Sequence, residues 1–388
     1  MNIMFLFIEP IVPYIGGVQK VTHILTEELL KRGHTVVFLS TTDKGLIENN
    51  KFIAPQHHIE LADKSTEEIS EQIQDIVNKY NITHVISQTL DKACLFKYFP
   101  GHIKKIATCH IQPFSFMGIT RKRIWNTNAR NIRQLLFKCI SLLSPKIHEK
   151  FFYKLEKRAL EESYQYADKI CFISEHFFPR IKKYMPAFPQ DKFVAINNPN
   201  TFDVSKIKLP EEKENIILWV GRVYNAQKNA TDFVKMWKCL STKEKNWRAI
   251  MIGDGKDLAY IKKYAKKHDL ERIEFIGRRN DTETFYNKAK IVVVTSYWES
   301  WCMVLTEGMS YGCIPFVYDT YETLRDIVDD RENGFIIPKI SYKLMADKIQ
   351  DTIQENRFKE LAIAAQEKVK KFNIEQTVDK WEILLNSL

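Results

Sequence analysis

Glu299 and Glu307 flank seven residues in the stretch Ile291 to Val317, and this is where the chain offers the most chemistry. The β-branched run Ile291–Thr295 reads as a buried strand, followed by a loop, a helix from about Met303, a glycine turn at Gly312 and a second strand. Open α/β sheets bind ligands beyond the carboxyl ends of their strands, and that is where Glu299 falls. Glu307 falls inside the helix, on the stripe of Met303, Val304, Gly308 and Tyr311. A carboxylate on such a stripe is costly to bury unless it is hydrogen-bonded. The new helix N-terminus, at Met303, Val304 and Leu305, presents backbone N–H groups that suit a phosphate. Arg222 offers a forked guanidinium and Lys228 a point charge to an anion. Each of these residues in isolation has a plainer reading: a surface ion pair for Arg222, a solvated loop lysine for Lys228, and partly solvated acids for the two glutamates.

His110 follows a short strand pattern, Lys105–Cys109. Cys109 and His110 are adjacent, so on an extended segment they point to opposite faces and cannot form a nucleophile–base pair. A hydrogen-bonded core histidine is the ordinary reading.

The elements that must hold these residues alternate between strand and helix. Ile3–Ile8, Thr35–Ser40, Ile82–Ser87, Lys105–Cys109, Lys169–Ser174 and Phe193–Asn197 read as strands. Val18, Val21, Leu25 and Leu29 predict a helix over Gly17–Lys31 with a stop at Gly33. Ser65 and Glu68 form a capping-box pattern ahead of Ile69, Ile73, Ile76 and Tyr80. The polar, proline-punctuated stretch Asn198–Asn215 reads as a linker. Beyond it the pattern restarts, with strands at Ile216–Val220, Arg248–Ile252, Ile273–Ile276, Ile291–Thr295 and Ile314–Tyr318 and a helical tail from Tyr342 to Leu388. Strands separated by helix-length segments imply parallel sheets covered on both faces. Two such blocks around one linker predict two α/β domains with a ligand cleft between them.

The 388 residues carry 58 basic against 48 acidic side chains, a net charge of +10, which points to an anionic partner without naming it. The seven cysteines form no CxxC and no metal-ligand spacing, so they read as reduced thiols of a cytoplasmic protein. His57-His58 reads as a solvated loop. The apolar run Ile3–Ile8 is shorter than a signal-peptide core, and no segment approaches the length of a membrane span. Asn81-Ile-Thr83 and Asn229-Ala-Thr231 match glycosylation sequons and are read as chance.

Glu299-SWCMVLT-Glu307, then Gly312-Cys-Ile-Pro315, resembles the signature of the retaining glycosyltransferases of family 4, which have the GT-B fold. The likeness spans nearly the whole chain. Gly16-Gly17 stand before the first helix, Asn198-Pro199 at the interdomain crossing, and Gly221-Arg222 is followed by Lys228-Asn229. Gly253-Asp254-Gly255 and Phe275-Ile-Gly277, with Arg278 after it, stand where that family has its later glycine motifs. Two departures are Trp301-Cys302, where the family has Phe-Gly, and the atypical Val223–Gln227 ahead of Lys228.

The resemblance implies an α/β protein of two Rossmann-like domains facing each other across a cleft. Residues 1–200 would bind acceptor and 201–372 the nucleotide-sugar donor, with a last helix, about 373–388, packing back on the first domain. It implies that Glu307 binds ribose hydroxyls, Glu299 the sugar hydroxyls, and His110 the sugar near the reaction centre. Gly16, Gly17, Gly221, Arg222, Lys228, Gly253, Gly277, Arg278 and Met303–Leu305 would line the donor site, with Arg222 and Lys228 stabilising the leaving diphosphate. No metal and no cofactor are expected. UDP is the expected nucleotide because uridine is the commonest base of such donors.

Between Arg121 and Arg158 lie eleven basic residues and two acids. They include Arg121, Lys122, Arg123, Arg130, Arg133 and Lys138, interleaved with large apolar residues. That mixture suits an interfacial helix on an anionic membrane, or else an ordinary solvated helix pair. It predicts a peripheral enzyme on the inner face of the cell membrane acting on lipid-linked glycan or lipopolysaccharide, with no nucleic-acid partner. A nucleotide-sugar epimerase, a sugar phosphorylase and a non-catalytic scaffold of the same fold remain alternatives.

Overall fold

Short strands, β-branched and buried on both faces at the sheet centres, build two parallel sheets. The computed structural model describes residues 1–12, 16–43, 45–49, 52–117, 124 and 132–388. Arg121, Lys122, Arg123 and Arg130 lie outside the described residues.

The first sheet contains β1 (Asn2–Phe7), β2 (Thr35–Ser40), β3 (Gln56–His58), β4 (His84–Ser87), β5 (Lys104–Cys109), β6 (Lys169–Phe172) and β7 (Phe193–Ala195), in the order β3-β2-β1-β4-β5-β6-β7. The second contains β8 (Glu214–Val220), β9 (Arg248–Ile252), β10 (Ile273–Gly277), β11 (Ala289–Val294), β12 (Ile314–Tyr318) and β13 (Phe335–Ile337), in the order β10-β9-β8-β11-β12-β13. Every strand pairing among the described residues is parallel, with β1 against β2 and β4 at the centre of one sheet and β8 against β9 and β11 at the centre of the other.

Seven helices matter for the site. They are α1 (Gly17–Lys31), α2 (Thr66–Tyr80), α3 (Ile132–Leu143), α4 (Pro145–Tyr166), α5 (Thr282–Lys288), α6 (Met303–Ser310) and α7 (Ile374–Asn386). The stripe Val21, Leu25 and Leu29 of α1 is buried, and Gly33, at φ 82°, turns the chain after it. At the start of α2, Ser65 Oγ accepts from the Glu68 amide at 3.1 Å and Glu68 Oε2 accepts from the Ser65 amide at 2.7 Å. This closes the capping box.

The chain divides into two compact units. The first takes in Met1–Gly118, Lys146–Pro199 and Ile374–Leu388; the second takes in Asn200–Asn373 together with 119–145, so α3 groups with the second. Helix α7 is tied to the first unit by polar contacts. Arg32 Nη1 reaches Asp379 at 2.6 Å and Glu382 at 2.8 Å, and His34 Nε2 meets Glu382 at 2.6 Å.

The boundary between the two units, at Pro199 and Asn200, falls in the stretch read as a linker, where Asn200 and Val204 are nonetheless buried and Asn200 Nδ2 donates to Ser310 Oγ at 2.5 Å. One expectation needs correction: His57-His58 lies in the edge strand β3 rather than a loop, with His57 Nε2 at 3.0 Å from Tyr80 OH. The edge strand β13 goes unseen in the sequence pattern because three residues are too few to show a period.

Candidate active site

The carboxyl ends of β8, β9, β10 and β11 lie along one edge of the second sheet, because all four strands run parallel. Gly221, Gly253 and Gly277 stand at three of those ends. The Gly221 amide donates to Ile252 O at 3.0 Å and the Gly253 amide to Gly277 O at 2.8 Å. A Cβ on Gly253 would lie 1.8 Å from Gly221 O, a distance no side chain can occupy. Gly253 is therefore required by close backbone approach, at φ 141°.

Beyond β8, residues Asn225–Lys228 form one helical turn ending at Asn229, which is left-handed at φ 46°. Thr295 Oγ1 donates to Lys228 O at 2.9 Å, and the Tyr297 amide donates to Gln227 O at 2.7 Å. The turn is thus clamped onto the loop that follows β11. The clamp brings Lys228 Nζ to 2.6 Å from Glu299 Oε1, which also accepts from Ser296 Oγ at 2.6 Å. Burial pushes the Lys228 ammonium down, but the Glu299 carboxylate outweighs it and the net shift is upward. Lys228 is therefore charged. Arg222 is exposed; one guanidinium N–H donates to Gln227 Oε1 at 3.1 Å, and the group lies over the Tyr224 ring at 5.5 Å. Two cations and one carboxylate converge here. Arg278 follows β10 at the same edge and is exposed.

Glu307 is 6% exposed on α6, and both of its carboxylate oxygens accept hydrogen bonds. Thr201 Oγ1 donates to Oε1 at 2.8 Å and Tyr286 OH, from α5, donates to Oε2 at 3.1 Å. Sequence reasoning did not find Thr201 or Tyr286. The only available signal was the cost of burying Glu307, which demands donors without saying which. At the start of α6, the Cys302 side chain makes no capping hydrogen bond. The Leu305 amide is a correction, because it donates to Cys302 O at 3.0 Å and is not available to an anion. Cys302 is buried at φ −88°, ψ 89°, so its backbone does not require a glycine. Burial pushes its thiol up to about 12. A larger cavity of about 600 Å³ opens at the opposite end of the second sheet, lined by Leu209, Lys213, Gly312 and Phe358, away from these groups.

In the first unit, Gly16 and Gly17 open α1 with no capping side chain, and a Cβ on either would meet nothing within 4 Å. Neither is required by packing. Their lack of side chains instead leaves the helix N-terminus open to approach. His110 follows β5, with Nε2 at 2.8 Å from Gln88 Oε1, which also accepts from Thr22 Oγ1 at 3.0 Å. With the Gln88 amide oriented to accept both, the proton of the neutral ring sits on Nε2. Nδ1 is buried and has no hydrogen-bond partner among the described residues. Burial lowers the His110 pKa to about 4; Asn198 opposes the shift only in part and completes no hydrogen bond. The imidazole is therefore neutral at physiological pH and offers a lone pair. Arg133 and Lys138 lie on α3, apart from both clusters in sequence.

Two parallel-sheet α/β units with ligand-binding chemistry at their strand ends define the GT-B class of fold, and comparison with solved structures agrees. The Anabaena HepE protein, solved in complex with UDP, superposes with a TM-score of 0.76 at 16% identity, covering 100% of both chains. Residues 15–199 match the family model "Glycosyltransferase Family 4" and residues 201–372 match "Glycosyl transferases group 1". The chain belongs to the group 1 / family 4 glycosyltransferases. Among curated relatives, a Campylobacter jejuni GalNAc-alpha-(1->4)-GalNAc-alpha-(1->3)-diNAcBac-PP-undecaprenol alpha-1,4-N-acetyl-D-galactosaminyltransferase is 27% identical over 44% of this chain and 47% of its own length. The Erwinia amylovora amylovoran biosynthesis glycosyltransferase AmsD is 26% identical over 45% of this chain and 49% of its own. The chain spans about half the length of the curated relatives it matches.

Proposed function

We propose that the protein is a retaining hexosyltransferase that moves a sugar from a nucleoside diphosphate donor, UDP-sugar first among them, to a lipopolysaccharide, capsule or other lipid-linked glycan. The convergence of Arg222, Lys228 and Glu299 at one sheet edge carries this reading. In the reaction, the bond from the anomeric carbon to the β-phosphate oxygen breaks and its electron pair leaves with the diphosphate. The acceptor hydroxyl oxygen bonds to the same face of that carbon, and its proton passes to the departing phosphate oxygen. Arg222 and Lys228 are aimed at the negative charge that grows there. Donors fixed in advance of the reaction are typically worth ~10²–10³ in rate each. Lys228 uses one of its three N–H donors on Glu299 and keeps two for phosphate. Glu299 then faces the sugar hydroxyls and Glu307 the ribose, while the neutral His110 accepts a hydrogen bond from the sugar through Nδ1. Gly16, Gly17, Met303 and Val304 supply backbone amides. No metal and no cofactor enter this scheme.

The HepE complexes with UDP and with UDP-glucose support the choice of uridine. The names of the relatives, one acting on a diphosphate-linked undecaprenol glycan, support the acceptor class. Membrane attachment is supported by α3. Its Ile132, Leu135, Leu136, Ile140 and Leu143 are 47–80% exposed on one face, with Arg133 and Lys138 beside them. No described helix is long and apolar enough to cross a membrane.

Thermal-shift titration with UDP, GDP and ADP tests the donor. UDP is expected to raise Tm, and no response to any of the three would sink the reading. NMR of the product anomer tests retention. Vesicle sedimentation tests attachment: binding to anionic vesicles should fall with salt, and equal binding to neutral ones at low salt would count against it.

A further inference from the structure

Phe114 follows His110 closely in the chain, is fully buried and holds φ 54°. A bulky side chain at positive φ strains the backbone, and such a residue persists only where its surroundings over-determine it. Phe114 is gripped at both ends of its backbone. Its amide donates to Glu156 Oε2, from α4. Its carbonyl accepts from Arg180 Nη2 at 2.7 Å, and the Pro113 carbonyl before it accepts from Arg180 Nε at 2.6 Å. Arg180 belongs to the short helix Phe178–Tyr184. The Phe114 ring packs on Tyr153 of α4 at 5.7 Å and on Tyr184 of the short helix at 5.1 Å. Tyr153 OH donates to Tyr184 O at 3.2 Å, which ties the two helices together around the turn.

This grip reaches His110 through very little chain. Strand β5 fixes the backbone up to Cys109, and the guanidinium fixes it again at Pro113. Only His110, Ile111 and Gln112 lie between. Cys109 Sγ donates to Ile111 O at 3.1 Å, and a residue ahead of proline, as Gln112 is, is turned away from helical backbone. His110, Pro113 and Glu156 line the same cavity, of about 350 Å³, within the first unit. One planar guanidinium spans two successive carbonyls here, and an ammonium does not reproduce that fork.

We propose that Arg180 and Glu156 are positioning residues for sugar transfer: they lock the strained Phe114 turn and so fix where the bare Nδ1 of His110 stands. The inference rests on the role given to His110 above and adds the residues that aim it.

Transfer kinetics on the full chain test it, with His110→Ala as the reference. Arg180→Lys keeps the cation and loses the fork. Glu156→Gln keeps an acceptor for the Phe114 amide, and Glu156→Leu removes it. Arg180→Lys and Glu156→Leu are expected to lower kcat by about tenfold or more with donor KM unchanged, because small displacements near reacting groups are costly. Glu156→Gln is expected to keep kcat near that of the unmodified protein. Nitrogen NMR of the imidazole supplies a readout that packing alone would not move. With one ring nitrogen protonated and the other bare, the two signals stand far apart. In Arg180→Lys they are expected to draw together as the ring samples both tautomers. Unchanged kcat in Arg180→Lys overturns the proposal. So does a Glu156→Gln protein as slow as Glu156→Leu, or an imidazole spectrum that Arg180→Lys leaves unaltered. Should Glu156→Leu fail to fold, Arg180→Lys and Glu156→Gln carry the comparison. Full activity in His110→Ala would bring down the role of His110 and this inference with it. An impaired His110→Ala beside an unimpaired Arg180→Lys would bring down this inference alone.

Discussion

The strand ends of the two units are finished in different ways. In the second, the functional groups are held by one another. Lys228 is held by Glu299, Glu299 by Ser296, and Glu307 by Thr201 and Tyr286, on a backbone where Gly253 touches Gly221. In the first, one histidine nitrogen has no partner among the described residues, and a Cβ on either glycine that opens α1 would meet nothing within 4 Å. The contrast teaches a division of labour. On the proposed reading, the second unit meets a diphosphate whose charge is the same in every donor, which suits a site fixed in advance, and the first unit meets an acceptor that differs from enzyme to enzyme, which suits a looser finish.

The comparison can be broken most directly at Lys228. Lys228→Ala should reduce sugar transfer by ~10²–10³ and leave Glu299 buried without its cation; release of nucleoside diphosphate is the measurement. A loss under threefold would mean that the wired cluster is structural only.

Next in size is a pair of glycine substitutions. Gly253→Ala forces a Cβ into Gly221 O and should cost up to about 3 kcal/mol of stability, read as a fall in Tm. Gly17→Ala has open space around it, so Tm should hold while transfer slows. Equal falls in Tm would erase the distinction between the two strand ends.

The first unit also carries a pH signature. Burial raises Glu156 from 4.5 to about 7, against the opposing Phe114 amide and Arg180. The folded state then binds more protons than the unfolded one between those values, so this group makes stability fall as pH rises through that window. At most about 3 kcal/mol is lost by pH 8. His110 acts oppositely, because its pKa falls from 6.5 to about 4 and its contribution is lost as pH drops through that range. Glu156→Gln should raise Tm at pH 8 and leave a curve that only rises with pH between 4 and 6.5; an unchanged Tm at pH 8 refutes the assignment.

The smallest effect is at Tyr286. Tyr286→Phe removes one donor to a buried carboxylate, at a cost of about 1.5–3 kcal/mol. KM for the donor should rise more than kcat falls. A change in stability alone, with KM intact, would limit Tyr286 to packing.

Much of the second unit was legible because its chemistry sits on strongly periodic elements. The β9 and β12 ranges match the sequence reading, and the helix after Glu299 starts at Met303 as expected. The grouping of Arg222, Lys228 and Glu299 came from the family resemblance rather than from their spacing, and the ion pair between Lys228 and Glu299 is what brings two of them together. What stayed hidden depends on contacts between distant residues. Nothing near Glu307 in sequence points to Tyr286, 21 residues away, or to Thr201, 106 away. Leu305 was misassigned because a capping bond cannot be read from apolar spacing. The edge strands β3 and β13 were missed because their neighbours, not their own residues, define them.

Helix α7 has a consequence for synthesis. It is made after the entire second unit, yet its Val378, Trp381 and Leu385 are buried and His84 Nε2 meets Leu385 O at 3.1 Å in the first. On the ribosome, the early half must wait with a greasy groove uncovered until the late segment emerges. Residues 1–199 expressed alone should aggregate and become soluble when a peptide of 374–388 is supplied in trans; good solubility without it would show that the groove closes unaided.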